Sequence, residues 1–157
     1  MKTYISLFLS LLLVSPLAAQ QSLTPEAQRD INISRKMIND KRNTTLAYNM
    51  SFTQEEKEAF WPLYREYRQA MAEVGDRRLA VIVTYADNFE RMTEKLAKQL
   101  LDDSFKVEKD SLKVREKYVR KFRRILPETK VVRLMQIESR IDAMIELRIA
   151  EGVPLME

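Results

Sequence analysis

The 157-residue sequence contains no histidine and no cysteine, which removes the usual nucleophiles, proton shuttles and transition-metal ligands. Carboxylates and cations remain. Glu55, Glu56 and Glu58 at a helix start, and the neighbours Asp102 and Asp103, are the groupings that could hold a hard cation or work as an acid pair. In a chain with 32% charged residues, solvated helix faces account for them better. Two glycines in the whole chain leave no phosphate-cradling loop. The expectation is a protein that is not an enzyme and uses neither cofactor nor metal.

The cations are more informative because they are unevenly placed. Residues 21–92 carry 11 basic and 11 acidic side chains, residues 93–127 carry 11 and 6, and residues 128–157 carry 4 and 6. The densest stretch is Lys113, Arg115, Lys117, Arg120, Lys121, Arg123 and Arg124, interleaved with Tyr118 and Phe122. Cations near a helix C-terminus complement its dipole, and Glu116 with Arg120 forms a favourable i,i+4 pair. Seven cations on three turns exceed what a dipole needs. A basic surface beside apolar groups suits an acidic or partly unfolded polypeptide, or an anionic envelope surface. We therefore expect a binding face made of Lys113, Lys117, Arg120, Lys121, Arg124 and Tyr118. Trp61 is a further candidate because it falls off the apolar seam of its own helix.

Those residues need long helices to position them. The run from Thr93 to Pro127 has no internal glycine or proline and reads as one helix capped by Thr93 and stopped by Leu126-Pro127. Its apolar residues fall on two neighbouring lines, Leu101, Phe105, Leu112, Val119, Phe122 and Leu126 on one, Leu100, Val107, Val114, Tyr118 and Ile125 on the other, so a broad buried face is expected. Before it, Thr53 and Glu56 form a capping box that opens a helix with a seam through Phe60, Tyr64, Tyr67, Met71, Val74, Val81 and Tyr85. Pro62 should kink that helix or reset its start, and Gly75 is either a bend or a tolerated residue. A first helix is expected from Pro25 to about Asn49, with a break near Asn43-Thr44-Thr45. A last one is expected from Pro127 to about Glu151, with Val131, Leu134, Met135, Ile141, Met144, Ile145 and Leu147 inward. No strand pattern occurs. The fold class is all-α, an antiparallel bundle or hairpin of about four helices with two long central ones, in a single domain over 21–157.

Residues 1–20 are read separately. Lys2, the apolar run Ile5 to Leu17, and the small residues Ala18 and Ala19 have the form of a cleaved secretory signal, with the cut near Ala19/Gln20. Periplasmic localisation follows from that reading, with no integral membrane span in the mature chain. Export disfavours nucleic acid as the partner, although the electrostatics would suit it.

The segments TQEEKEAFWPLYREY (Thr53 to Tyr67) and LPETKVVRL (Leu126 to Leu134), with the basic helix between them, resemble the Spy/CpxP-like group of periplasmic stress proteins. They resemble still more closely a set of exported bacterial helical proteins with FWPLYREY-like segments. The group's Leu-Thr-x-x-Gln motif is partly kept: Phe52-Thr53-Gln54-Glu55-Glu56 retains the Thr and has Glu at the Gln position. The resemblance implies a four-helix subunit able to form a thin curved homodimer. It implies ATP-independent, chaperone-like binding of unfolded or acidic polypeptides on an apolar and basic face or, alternatively, a regulatory subunit docking on one envelope partner such as a sensor protein. Contact with a membrane surface is a third expectation from the charge.

Overall fold

The computed structural model describes residues 24–155, so the expected secretory leader and its cleavage point lie outside the described residues. Four α-helices follow one another: α1 (Pro25–Asn49), α2 (Gln54–Asn88), α3 (Glu94–Phe122) and α4 (Glu128–Gly152), with one turn of 3-10 helix (Phe89–Arg91) between α2 and α3. No strand occurs among the described residues. The architecture is the all-α bundle that the periodicity predicts, with α2 and α3 as its two long central helices. No helix among the described residues is long and apolar enough to cross a membrane.

The described residues fall into two compact units, one ending at Met37 and the other beginning at Ile38. In the first, the described part is helical from Pro25, Gln28 Nε2 donates to Asn32 Oδ1 at 3.3 Å, and Ile33 and Met37 are exposed.

In the second unit, side-chain pairs set the helix directions. Phe60 meets Phe122, Tyr67 meets Tyr118 and Arg77 meets Asp110, so α3 runs antiparallel to α2. Tyr64 with Glu138, Arg78 with Glu146 and Tyr85 with Pro154 run α4 alongside α2 in the same direction. Arg42 with Glu138 and Ser51 with Lys130 turn α1 antiparallel to α4.

Local chemistry explains most of the boundaries. The Thr53 hydroxyl accepts from Glu56 N–H at 3.2 Å while the Glu56 carboxylate accepts from Thr53 N–H at 2.8 Å, the capping box read from the sequence. The Phe52 ring packs on Phe60 with centroids 4.5 Å apart. The break expected at Asn43-Thr44-Thr45 is absent, because Thr44 and Thr45 turn their hydroxyls back onto the carbonyls of Asp40 and Lys41 and stay helical. Helix α2 is continuous through exposed Pro62. Ser51 turns the chain out of α1 at φ 46°, a left-handed position that a side chain disfavours.

Helix α3 ends at Phe122, one turn short of the expected Leu126. Arg124 N–H and Ile125 N–H bond carbonyls three residues back, which tightens the chain before Pro127 and brings Leu126 into the core. The core is aromatic at its centre, with Phe60, Tyr64, Tyr67, Tyr118 and Phe122 in contact, and aliphatic around it through Leu46, Met50, Leu126, Val131 and Leu134.

One apolar line of α3 is buried along its length, and the other only at its C-terminal end, where Phe122 and Leu126 enter the core. Leu100, Val107 and Tyr118 face inward, whereas Leu101, Phe105 and Leu112 are 57%, 51% and 58% exposed. Helix α4 departs from expectation in the same way, with Met144 and Leu147 exposed and Glu138 taking a core position. A helix packed in this unit hides one stripe, and the N-terminal part of the neighbouring stripe is left to solvent.

Candidate functional site

One polar cluster joins all four helices. Glu138 on α4 is 2% exposed and accepts from Tyr64 Oη at 2.6 Å, Arg42 Nη1 at 2.9 Å and Arg68 Nη1 at 3.1 Å. One turn on, Asp142 accepts from Arg42 Nη2 and, at 2.6 Å, from Arg115 Nη2 of α3. Burial works against the charge of Arg42, and the Glu138 and Asp142 carboxylates outweigh it, so the guanidinium stays above its ordinary pKa. The Tyr64 and Tyr67 hydroxyls are pushed up by burial first and by the Glu138 carboxylate second, Tyr67 to about 12. Three guanidiniums face two carboxylates here, and their geometry is that of a cross-link between helices.

Sequence reasoning missed this cluster, although a signal was present. Val131, Leu134, Glu138, Ile141 and Ile145 are spaced 3-4-3-4 along α4, so a carboxylate occupies a seam position. Arg42 likewise falls on the four-residue line of Ile38, Leu46 and Met50. A charge on a seam of one helix and an opposite charge on a seam of another are the mark of a buried pair.

The expected binding residues lie mostly on the C-terminal half of α3, in differing states. Lys121 binds Glu66 at 3.1 Å and sits 4.7 Å over the Tyr118 ring, and Lys117 stands 5.7 Å from the same ring. Lys113 reaches Asp110 at 3.5 Å. Arg120 and Arg124 are exposed and make no ion pair among the described residues. Of the two other cations in the run, Arg115 belongs to the buried cluster and Arg123 holds Glu128 with two nitrogens. Tyr118 is 6% exposed, its ring against Tyr67, so it supports the cations from below and offers a ligand little surface. Trp61 is half-buried, edge-on to Phe52, Phe60 and Tyr64, at the other end of α2 from the exposed α3 leucines.

The structure adds apolar groups that were expected inside. Leu101, Phe105 and Leu112 follow one line on the outer side of α3, and Lys109 and Lys113 lie on the adjoining line with Arg120 further along. At the N-terminal end this line meets a 690 Å³ groove between the end of α2, the start of α3 and the end of α4, lined by Leu101, Val81, Tyr85 and Ile149, with the Arg78–Glu146 pair among its walls. A second groove, of 570 Å³, lies between α1 and α4.

Four of the five carboxylates weighed as a cation site are otherwise engaged. Glu55 accepts from the Thr53 hydroxyl, Glu58 from Gln54, and Asp102 binds Lys98 at 2.6 Å. Lys130 donates to Glu56 and, at 2.9 Å, to the carbonyl of Ser51, tying α4 to the α1–α2 turn. That hydrogen bond from Lys130, with the one from Thr53 N–H, holds the Glu56 carboxyl below the usual range. No three acidic side chains gather as a metal-binding group among the described residues.

Compared with protein-family models, with curated proteins and with solved structures, the chain matches none.

Proposed function

We propose that this is a periplasmic, ATP-independent binding protein of the chaperone type, which engages unfolded or acidic polypeptides through the outer face of α3. The observation that carries the reading is one helix surface combining Leu101, Phe105 and Leu112, each more than half exposed, with cations on the adjoining line. Such a surface attracts an acidic chain over a Debye length of about 8 Å at physiological salt and then holds its apolar side chains by contact. Nothing in the arrangement requires a nucleotide. Client binding uses Lys113, Lys117, Arg120 and Arg124 for capture; Lys121 contributes less because Glu66 already neutralises it. Trp61 is not needed on this face.

The test is light scattering of an aggregating client with and without the protein at low and high salt. Suppression near equal concentration, weakened by salt and by the Leu101→Ser/Leu112→Ser double substitution, supports the reading. No suppression in either buffer removes it. Binding of the same face to anionic vesicles, with no effect on client aggregation, would replace it with attachment to an envelope surface. A regulatory subunit with one specific partner is the second reading, and the groove between α1 and α4 favours it.

A further inference from the structure

The groove between α1 and α4 differs from the other groove in the charge of its rim. Its floor is Ile38, Ile137, Met144 and Ile145, and its rim carries Lys41 on the α1 side with Arg140 and Arg148 on the α4 side. No carboxylate lines it. Lys41 and Arg140 are exposed and form no ion pair among the described residues, while Arg148 holds only Glu151, three residues along its own exposed surface. Cations on both walls of an apolar trough repel one another unless something negative lies between them.

From this complementarity we propose that the groove is a docking site for an acidic amphipathic α-helix of a partner protein, with apolar residues on one face and carboxylates on both flanks. The site stands apart from the α3 face, uses different residues and does not rest on the chaperone reading. Backbone chemistry selects a helix over an extended peptide. The walls are two helices whose own N–H and C=O groups are paired internally, so an extended chain on an isoleucine floor would leave its backbone unsatisfied, whereas a helix satisfies its own. Length fits as well. From Ile137 to Ile149 the α4 wall runs about 18 Å at 1.5 Å per residue, room for about three turns of a partner helix. Arg140 and Arg148, two turns apart on one wall, would meet carboxylates two turns apart on the partner, and Lys41 would meet one on its other flank.

The experiment uses the full chain and two labelled helical peptides of ~14 residues, about three to four turns, each with leucine at every third or fourth position. One carries glutamate elsewhere and the other lysine, and binding is read by fluorescence anisotropy. The acidic peptide should bind at least tenfold more tightly than the basic one. Lys41→Glu with Arg140→Glu should weaken it at least tenfold, and Met144→Glu, on the exposed part of the floor, should do the same. All three positions are exposed, and unchanged thermal melts will show that these variants remain folded. Lys113→Glu with Arg120→Glu, which disarms the client-capturing face of α3, should weaken the peptide less than either groove variant does. Equal binding of both peptides, or loss only in the α3 variant, overturns the proposal. Displacement of the peptide by laurate at micromolar concentration overturns it in favour of a single-chain anionic lipid.

Discussion

At the scale of single residues, Glu138 is the side chain on which most others depend. Removing its charge while keeping its volume, as in Glu138→Gln, leaves buried Arg42 short of a partner. The change should cost about 3–5 kcal/mol in denaturant unfolding, the usual penalty for breaking a buried pair on one side. The two tyrosines beside it should behave differently. Tyr64→Phe deletes a 2.6 Å hydrogen bond to the buried carboxylate and should destabilise by about 1–3 kcal/mol. The Tyr67 hydroxyl is buried and meets no partner among the described residues, so Tyr67→Phe should be neutral or stabilising. Both hydroxyls have folded pKa values above their unfolded value of about 10. These two groups therefore leave stability undiminished below about pH 10 and lower it as pH rises, by at most about 1.4 kcal/mol per unit for each tyrosine. An alkaline denaturation series on the wild type and Tyr64→Phe checks this, because the variant should lose part of that slope.

At the scale of elements, two backbone positions are improvable without touching function. A methyl group at Gly75 would meet nothing within 4 Å, so the residue marks tolerance within α2 and not close approach of another helix. Gly75→Ala should add about 1 kcal/mol of stability. Ser51→Gly should likewise stabilise by about 1 kcal/mol, since it relieves the left-handed backbone while keeping the carbonyl that Lys130 binds. The same corner sets the acid response. Glu56 has a depressed pKa, so its contribution is present above the ordinary carboxylate value of about 4.3 and is lost as pH falls through the lower folded value. Glu56→Gln should flatten the stability profile in that acid range, read by melting temperature against pH.

At the scale of the molecule, each of the two candidate surfaces combines apolar groups with cations, one along α3 and one between α1 and α4. High salt should weaken client capture on the α3 face while leaving the melting temperature nearly unchanged. The buried Arg42–Glu138 pair that holds α1 to α4 is screened far less than exposed lysines and arginines. A parallel loss of folding and capture would mean that the surface cations are structural.

Helix number, order, caps and the antiparallel α2–α3 hairpin were determined by the sequence alone, because caps, prolines and a 3.6-residue period act over a few residues. The positive excess of α3 was legible for the same reason. What only the tertiary structure decided was which of two neighbouring apolar lines would be covered over the first half of α3. Leu101 and Leu100 are equally apolar, and the choice between them belongs to the helices packed against α3, as does the choice of Glu138 over Met144 for the interior. Tyr118 went inward and left its cations outside on the same principle. Pairing between charges ninety-six residues apart, Arg42 with Glu138, has no local signature beyond two seam positions, since the desolvation that makes the pair important exists only once four helices have closed around it.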